Sequence, residues 1–215
     1  MTFSRTGKTA AGWALFAVLG FAIAFGVSAS KAPGSRDDSR DEATAAVATV
    51  NGEPLELREY KAIVRTERAG VFAYFQGKYE AADDKDFWTR SYAGETPLEK
   101  LKEEALRTAV GIKTLQLLGK ENGLLADASY AAFLQELRTE NARRKEEIAH
   151  GRPIYGPKQW EEAAYYERKL ADLRQQLGKK LGDAAFARVA EDEAKRAEVN
   201  VNEALLRTLD AKRLW

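Results

Sequence analysis

Hydrophobic and polar positions divide the chain into three unequal stretches. Residues 12–27 (GWALFAVLGFAIAFGV) carry no charge and almost no polar side chain. Residues 31–45 (KAPGSRDDSRDEATA) mix Pro, Gly, Ser and alternating charges. Such a stretch cannot bury enough apolar surface to offset the entropy of ordering, so it reads as a disordered linker. From Ala46 the pattern becomes that of a folded domain. Ala46-Val47-Ala48-Thr49-Val50 reads as a short strand, and Asn51-Gly52 is a strong tight-turn signal because both residues tolerate positive φ. Glu53-Pro54-Leu55 stays extended, since a residue before proline avoids the helical region.

Four helical stretches follow. In the first, Leu57, Tyr60, Val64, Val71, Phe75 and Tyr79 recur at spacings of three, four or their multiples and share a face. The second opens at Thr96-Pro97-Leu98-Glu99, the pattern of a capping box with proline in the first turn. It continues through Leu101, Ala105, Ile112 and Leu115 to Asn122-Gly123, where glycine can take the left-handed closing conformation. The third starts after Asp127 and carries Tyr130, Phe133, Leu134, Leu137 and Ile148. The fourth begins at Gly156-Pro157 and shows Trp160, Tyr166, Leu170, Leu173, Leu177 and Leu181, a seam close to a heptad. A shorter helix near Asp183–Arg196, a strand at 198–201 and a last helical turn or two complete the domain.

The expected fold is therefore mostly α, with one small two-stranded β element. Strand 46–50 is expected to pair with strand 198–201, because an isolated strand cannot satisfy its own backbone groups. The expected core includes Leu101, Ile112, Leu134, Leu137, Leu170 and Leu173. Residues 46–215 form one helical domain, 31–45 the linker and 1–30 a hydrophobic signal or anchor helix.

Charge gives the opening stretch a direction. Arg5 and Lys8 precede the apolar run and no charge follows until Lys31, so the basic flank stays in the cytoplasm and the rest of the chain lies outside. Val27-Ser28-Ala29 resembles a cleavage site for a removable signal peptide. The uncharged run is equally long enough to remain as a membrane anchor through residues 10–30, about 20 residues being needed to span a bilayer. Both outcomes place the domain on the extracytoplasmic face of a bacterial cell membrane or in the medium. Beyond residue 30 basic and acidic side chains nearly cancel, so no electrostatic footprint for nucleic acid exists. Cysteine is absent, which excludes disulfides, thiol chemistry and Cys-ligated zinc.

Candidate chemistry is sparse. His150, the only histidine, sits beside Gly151 at a helix end, where the dipole alone favours it. Asp83, Asp84 and Asp86 lack the spacing and closing glutamate of a calcium loop. No phosphate loop, dinucleotide fingerprint or G-x-S-x-G occurs, so no cofactor, metal or catalytic residue is expected.

Val50-Asn51-Gly52-Glu53-Pro54-Leu55, a helix with Glu59-Tyr60, and a second helix with Leu101, Leu106 and Lys113 ending in Glu121-Asn122-Gly123-Leu124 resemble the SurA-like N-terminal chaperone domain. The same domain occurs in PrsA-type extracytoplasmic foldases, and the resemblance covers about residues 46–185. It implies a helical domain that holds unfolded client chains. In that family a parvulin-type prolyl isomerase usually follows, but between Leu181 and Trp215 there is no room for one, and the histidines parvulins use are missing.

Apolar surface is what remains. Phe72, Tyr74, Phe75, Tyr79, Phe87, Trp88 and Tyr92 crowd the end of the first helix and the loop after it, and Tyr155, Trp160, Tyr165 and Tyr166 form a second group. Aromatics around so much of one helix cannot all face one packing partner. Phe72, Phe75, Tyr79, Phe87, Trp88 and Tyr92 are therefore expected to form a client-binding surface, since exposed apolar patches mark binding sites. The expected partners are unfolded or nascent secreted polypeptides, bound without ATP or covalent chemistry. Two alternatives stand beside this reading: a peptidyl-prolyl isomerase, by family analogy, and a structural envelope protein that forms homo-oligomers through the 160–181 seam.

Overall fold

The structure is a computed structural model that describes residues 42–215. The signal or anchor expected at 1–30 and most of the expected linker lie outside the described residues. Of that linker, residues 42–44 are helical, and Ala45 accepts a backbone hydrogen bond from Leu57 N at 2.8 Å. Residues 42–45 thus belong with the folded domain.

β1 (Ala46–Val50) and β2 (Glu53–Glu56) form a hairpin, with Val50 opposite Glu53 and Ala48 opposite Leu55. Its two-residue loop needs positive φ twice, and Asn51 (50°) and Gly52 (81°) provide it. β3 (Val199–Val201) pairs antiparallel with the other edge of β1, placing Val199 opposite Val50 and Val201 opposite Ala48. The sheet is thus three-stranded, in the order β2-β1-β3. The expected pairing of β1 with the late strand is present. The expected strand count falls one short, because the tight turn folds 53–56 back along β1 instead of leaving it merely extended.

The helices follow the hydrophobic periods. α1 (Leu57–Tyr79) and α2 (Pro97–Glu121) pack against each other over their apolar faces. α3 (Tyr130–Ala149) is capped by Ser129, whose hydroxyl accepts from Ala132 N. α4 (Glu162–Leu181) packs on α2 and on α5 (Asp183–Arg196). α6 (Glu203–Thr208) and α7 (Ala211–Leu214) are capped by Asn202 and Asp210. Two expectations about termini are corrected. Thr96 makes no side-chain cap; Glu99 pairs with Lys102 instead of reaching back. The fourth helix starts at Glu162, because the bent segment before it is tied to α3 by Asn141, which bonds both Trp160 N and Trp160 O.

Leu55, Leu57, Tyr60, Phe75, Phe87, Leu101 and Leu177 are fully buried, joined by Leu209 and Leu214 from the late segment. Of the expected core, Leu101, Ile112, Leu137, Leu170 and Leu173 are buried and Leu134 is half-buried. α2 and α4 approach closely at Gly119, where a Cβ would lie 2.7 Å from Leu173 Cδ1. Leu170, Leu173 and Leu177 are consumed in this packing, which corrects the idea of the seam as a coiled coil between copies.

Candidate functional site

The aromatic group is built by α1 and the chain that returns from it. Along α1 the buried stripe passes through Tyr60, Val64, Val71 and Phe75, while Phe72 and Tyr79, seven residues apart, run beside it half-buried. Helix α1 stops at Glu80, in the left-handed region at φ 53°, whose N–H closes onto Gln76 O. The following loop is pinned from within. Asp84 accepts from Asp86 N, and Phe87 sinks into the core against Phe75. Ala93-Gly94 then turns the chain so that Tyr92 and Glu95 exchange backbone hydrogen bonds of 2.7 and 3.0 Å.

These elements assemble one aromatic lattice. Phe87 meets Phe72 edge-on at 5.1 Å and Trp88 at 4.9 Å; Phe75 meets Tyr92 at 5.3 Å, and Tyr92 stacks on Tyr79 at 5.8 Å. Such offset and edge contacts suit the ring quadrupoles. All six expected site residues are therefore brought together, but they divide into two roles. Phe75 and Phe87 are fully buried, so they cannot touch a client and instead hold the lattice from behind. Phe72, Tyr79, Trp88 and Tyr92 keep a partly open face.

Cations rim that face. Lys78 lies 5.0 Å from the Tyr74 and Tyr79 rings, Lys100 lies 4.7 Å from Tyr74, and Arg90 lies 6.0 Å from Tyr92. Glu95 takes hydrogen bonds from Lys78 Nζ and the Tyr74 hydroxyl, which hold its carboxyl below the usual range. Arg90 does the same to Asp84 in the neighbouring acidic loop. Two members were not anticipated. Arg68 places its guanidinium 4.2 Å from the Trp215 ring centre and 5.4 Å from that of Trp88, and Trp215 meets Trp88 edge-on at 5.1 Å. The spacing of Arg68 and Phe72, one turn apart on α1, was a usable signal for Arg68. Nothing local to Trp215 points to a ring more than a hundred residues earlier.

A second unanticipated feature is a polar network buried where α1, α2 and α4 converge. Glu59 and Lys113 are both fully buried, with Lys113 Nζ 2.9 Å from Glu59 Oε2. Lys113 also donates to Ala128 O, the Tyr166 hydroxyl donates to Glu59 Oε1 at 2.5 Å, and Gln116 Nε2 donates to the Tyr166 oxygen. Burial raises the Glu59 pKa against the opposing pull of Lys113, and burial beside Glu59 raises that of Tyr166. Lys113 sits four residues after Ala109 and seven after Leu106, both buried, so its place on a core stripe was readable from the sequence.

The second aromatic group does not form a surface as a whole. Tyr165 and Tyr166 are buried, Trp160 is half-buried between Arg144 and Arg168, and Tyr155 stands alone, 90% exposed. His150 is exposed at the end of α3, its Nδ1 2.8 Å from Glu146 O. Among the described residues no three His, Cys, Asp or Glu side chains group closely enough to hold a metal, and no helix is long and apolar enough to cross a membrane. The arrangement offers apolar and cation–π contact.

The chain is distantly similar to the chaperone for lacto-N-biosidase of Bifidobacterium longum, with 25% identity over 120 residues. The aligned part is 56% of this chain and 43% of that protein, so the chain spans less than half the length of its relative. No family profile matches the chain, and no solved structure matches it.

Proposed function

We propose that the protein is a chaperone-like binder of polypeptide segments, working without ATP or covalent catalysis, and that its client surface is the open face of Phe72, Tyr79, Trp88 and Tyr92. The observation that carries this reading is the half-buried aromatic face itself, held rigid from behind by Phe75 and Phe87 and rimmed by Lys78, Lys100 and Arg90. Rigid aromatic side chains supply contact area at small entropic cost, which suits binding of many sequences. The distant chaperone similarity supports the same class, and the name of that relative adds a finer form in which one enzyme is the dedicated client. The SurA-like resemblance and the basic-flanked apolar run 12–27 fit an exported, membrane-tethered protein that meets clients outside the cytoplasm.

The test separates binding from folding. Phe72, Trp88 and Tyr92 are changed singly to serine, with Tyr155→Ser as an exposed control. Melting temperature and suppression of aggregation of an unfolded test protein are then measured. Loss of one good anchor costs about 2 kcal/mol, or about thirtyfold in affinity. Trp88→Ser and Tyr92→Ser should keep the fold and lose protection, while Tyr155→Ser should do neither. If every folded variant protects as well as the parent, the client surface lies elsewhere.

A further inference from the structure

Trp215 lies on the proposed client face, and its neighbours show what that face accepts. Leu214, just before it, is fully buried, whereas Trp215 remains 41% exposed. Its ring lies edge-on to Trp88 at 5.1 Å, and the Arg68 guanidinium lies beside the indole pair, 4.2 Å from the Trp215 ring centre and 5.4 Å from that of Trp88. Among the described residues the buried Nε–H of Arg68 has no acceptor. The seat thus offers an aromatic wall, a cation for a ring face, and one unspent donor.

We propose that Trp88 and Arg68 form a recognition seat for an aromatic side chain of a bound polypeptide, and that the chain's own Trp215 occupies this seat until a client displaces it. The proposal rests on the reading above and narrows it. The preferred segment presents an aromatic side chain and a backbone carbonyl able to accept from Arg68 Nε. A tryptophan is the best cation–π partner among the aromatic residues. Leu214 cannot leave as readily, because it is packed in the core, so displacement means rotation of Trp215 alone.

Self-occupancy lowers the apparent affinity for a client by the fraction of time the seat is open. A seat filled nine-tenths of the time weakens client binding about tenfold. The probe is a fluorescein-labelled Ser/Gly peptide bearing one Leu-Trp pair, with a Leu-Ala peptide as control, titrated onto the full chain. Trp215→Ala should bind the Leu-Trp peptide about tenfold more tightly than the parent. Adding Trp88→Ala should abolish that gain, and the Leu-Ala peptide should bind weakly throughout. Equal or weaker binding by Trp215→Ala overturns the proposal. If that variant fails to fold, fluorine NMR of the parent labelled with fluorotryptophan decides. Saturating Leu-Trp peptide should shift the Trp88 and Trp215 resonances and leave Trp160 in place; unmoved Trp88 and Trp215 signals overturn it. Aggregation suppression by the parent, recorded in parallel, separates the two ideas: protection without peptide competition sinks the seat alone, whereas absent protection sinks the chaperone reading.

Discussion

Replacing Lys113 with methionine isolates the buried ion pair. Methionine keeps most of the volume, so the change removes the charge while leaving packing nearly intact. In the parent, Glu59 has one oxygen on the Tyr166 hydroxyl and the other 2.9 Å from Lys113 Nζ, with both charged side chains fully buried. Removing the cation leaves an uncompensated buried carboxylate, and breaking such pairs costs about 3–5 kcal/mol. With a urea m-value of about 2 kcal/mol/M, that is a fall of about 1.5–2.5 M in the unfolding midpoint. The loss should depend on pH. Without Lys113 the Glu59 pKa, already raised by burial, rises further above its unfolded value. The folded state then binds more protons than the unfolded one, so stability falls as pH rises from the ordinary carboxylate range through the raised value. Lys113→Met should therefore be less damaging at pH 5 than at pH 8. Adding Glu59→Leu should restore much of the loss, because an apolar pair needs no compensation. A midpoint shift below 0.5 M, a larger deficit at pH 5, or no rescue in the double variant would each refute this account.

Three further outcomes are expected. Within α2, Gly119→Ala should lower the melting temperature by crowding Leu173, whereas Gly111→Ala, exposed with open space around it, should raise it by up to about 1 kcal/mol in stability; shifts of the same sign would contradict the packing of α2 on α4. Deleting residues 197–215 removes β3, Leu209 and Leu214, and should unfold the whole domain in thermal melts; an unchanged melting temperature would show the segment to be an appendage. A single cysteine at Ser39, in a chain that has none, should react with a membrane-impermeant thiol reagent on intact cells; labelling only after lysis would overturn the export proposal.

Much of the scaffold was legible because its determinants are local. The 3.6-residue period placed α1, α2 and α3 within a few residues, and Asn51-Gly52 announced its turn through φ preferences alone. Where tertiary bonds compete with local preference, the tertiary bonds win. Gly156-Pro157 resembles a helix start, yet the Asn141 side chain takes both backbone groups of Trp160 and keeps them out of a helix. Thr96 and Glu99 spell a capping box, yet Glu99 is drawn to Lys102. The candidate site shows the same division. Clustering of aromatics in sequence located the lattice, but which rings face inward depends on how the 80–96 loop folds back. That fold-back buries Phe87 and leaves Trp88 half open. Trp215 arrives through the long return of the chain, which no local pattern encodes.

The β1–β3 ladder bears on how the protein itself is made. Asn202 bonds the carbonyl of Ala46 across 156 positions of chain, and the central strand has one open edge until that segment arrives. Closing so long a loop has an entropic cost that must be met before its contacts stabilise anything, and such contacts slow folding. As the chain emerges from a ribosome, the β1–β2 hairpin and the α1–α2 pair can form early, but the sheet stays unfinished until residues 199–201 appear. The sheet is thus completed only after residues 199–201 have emerged.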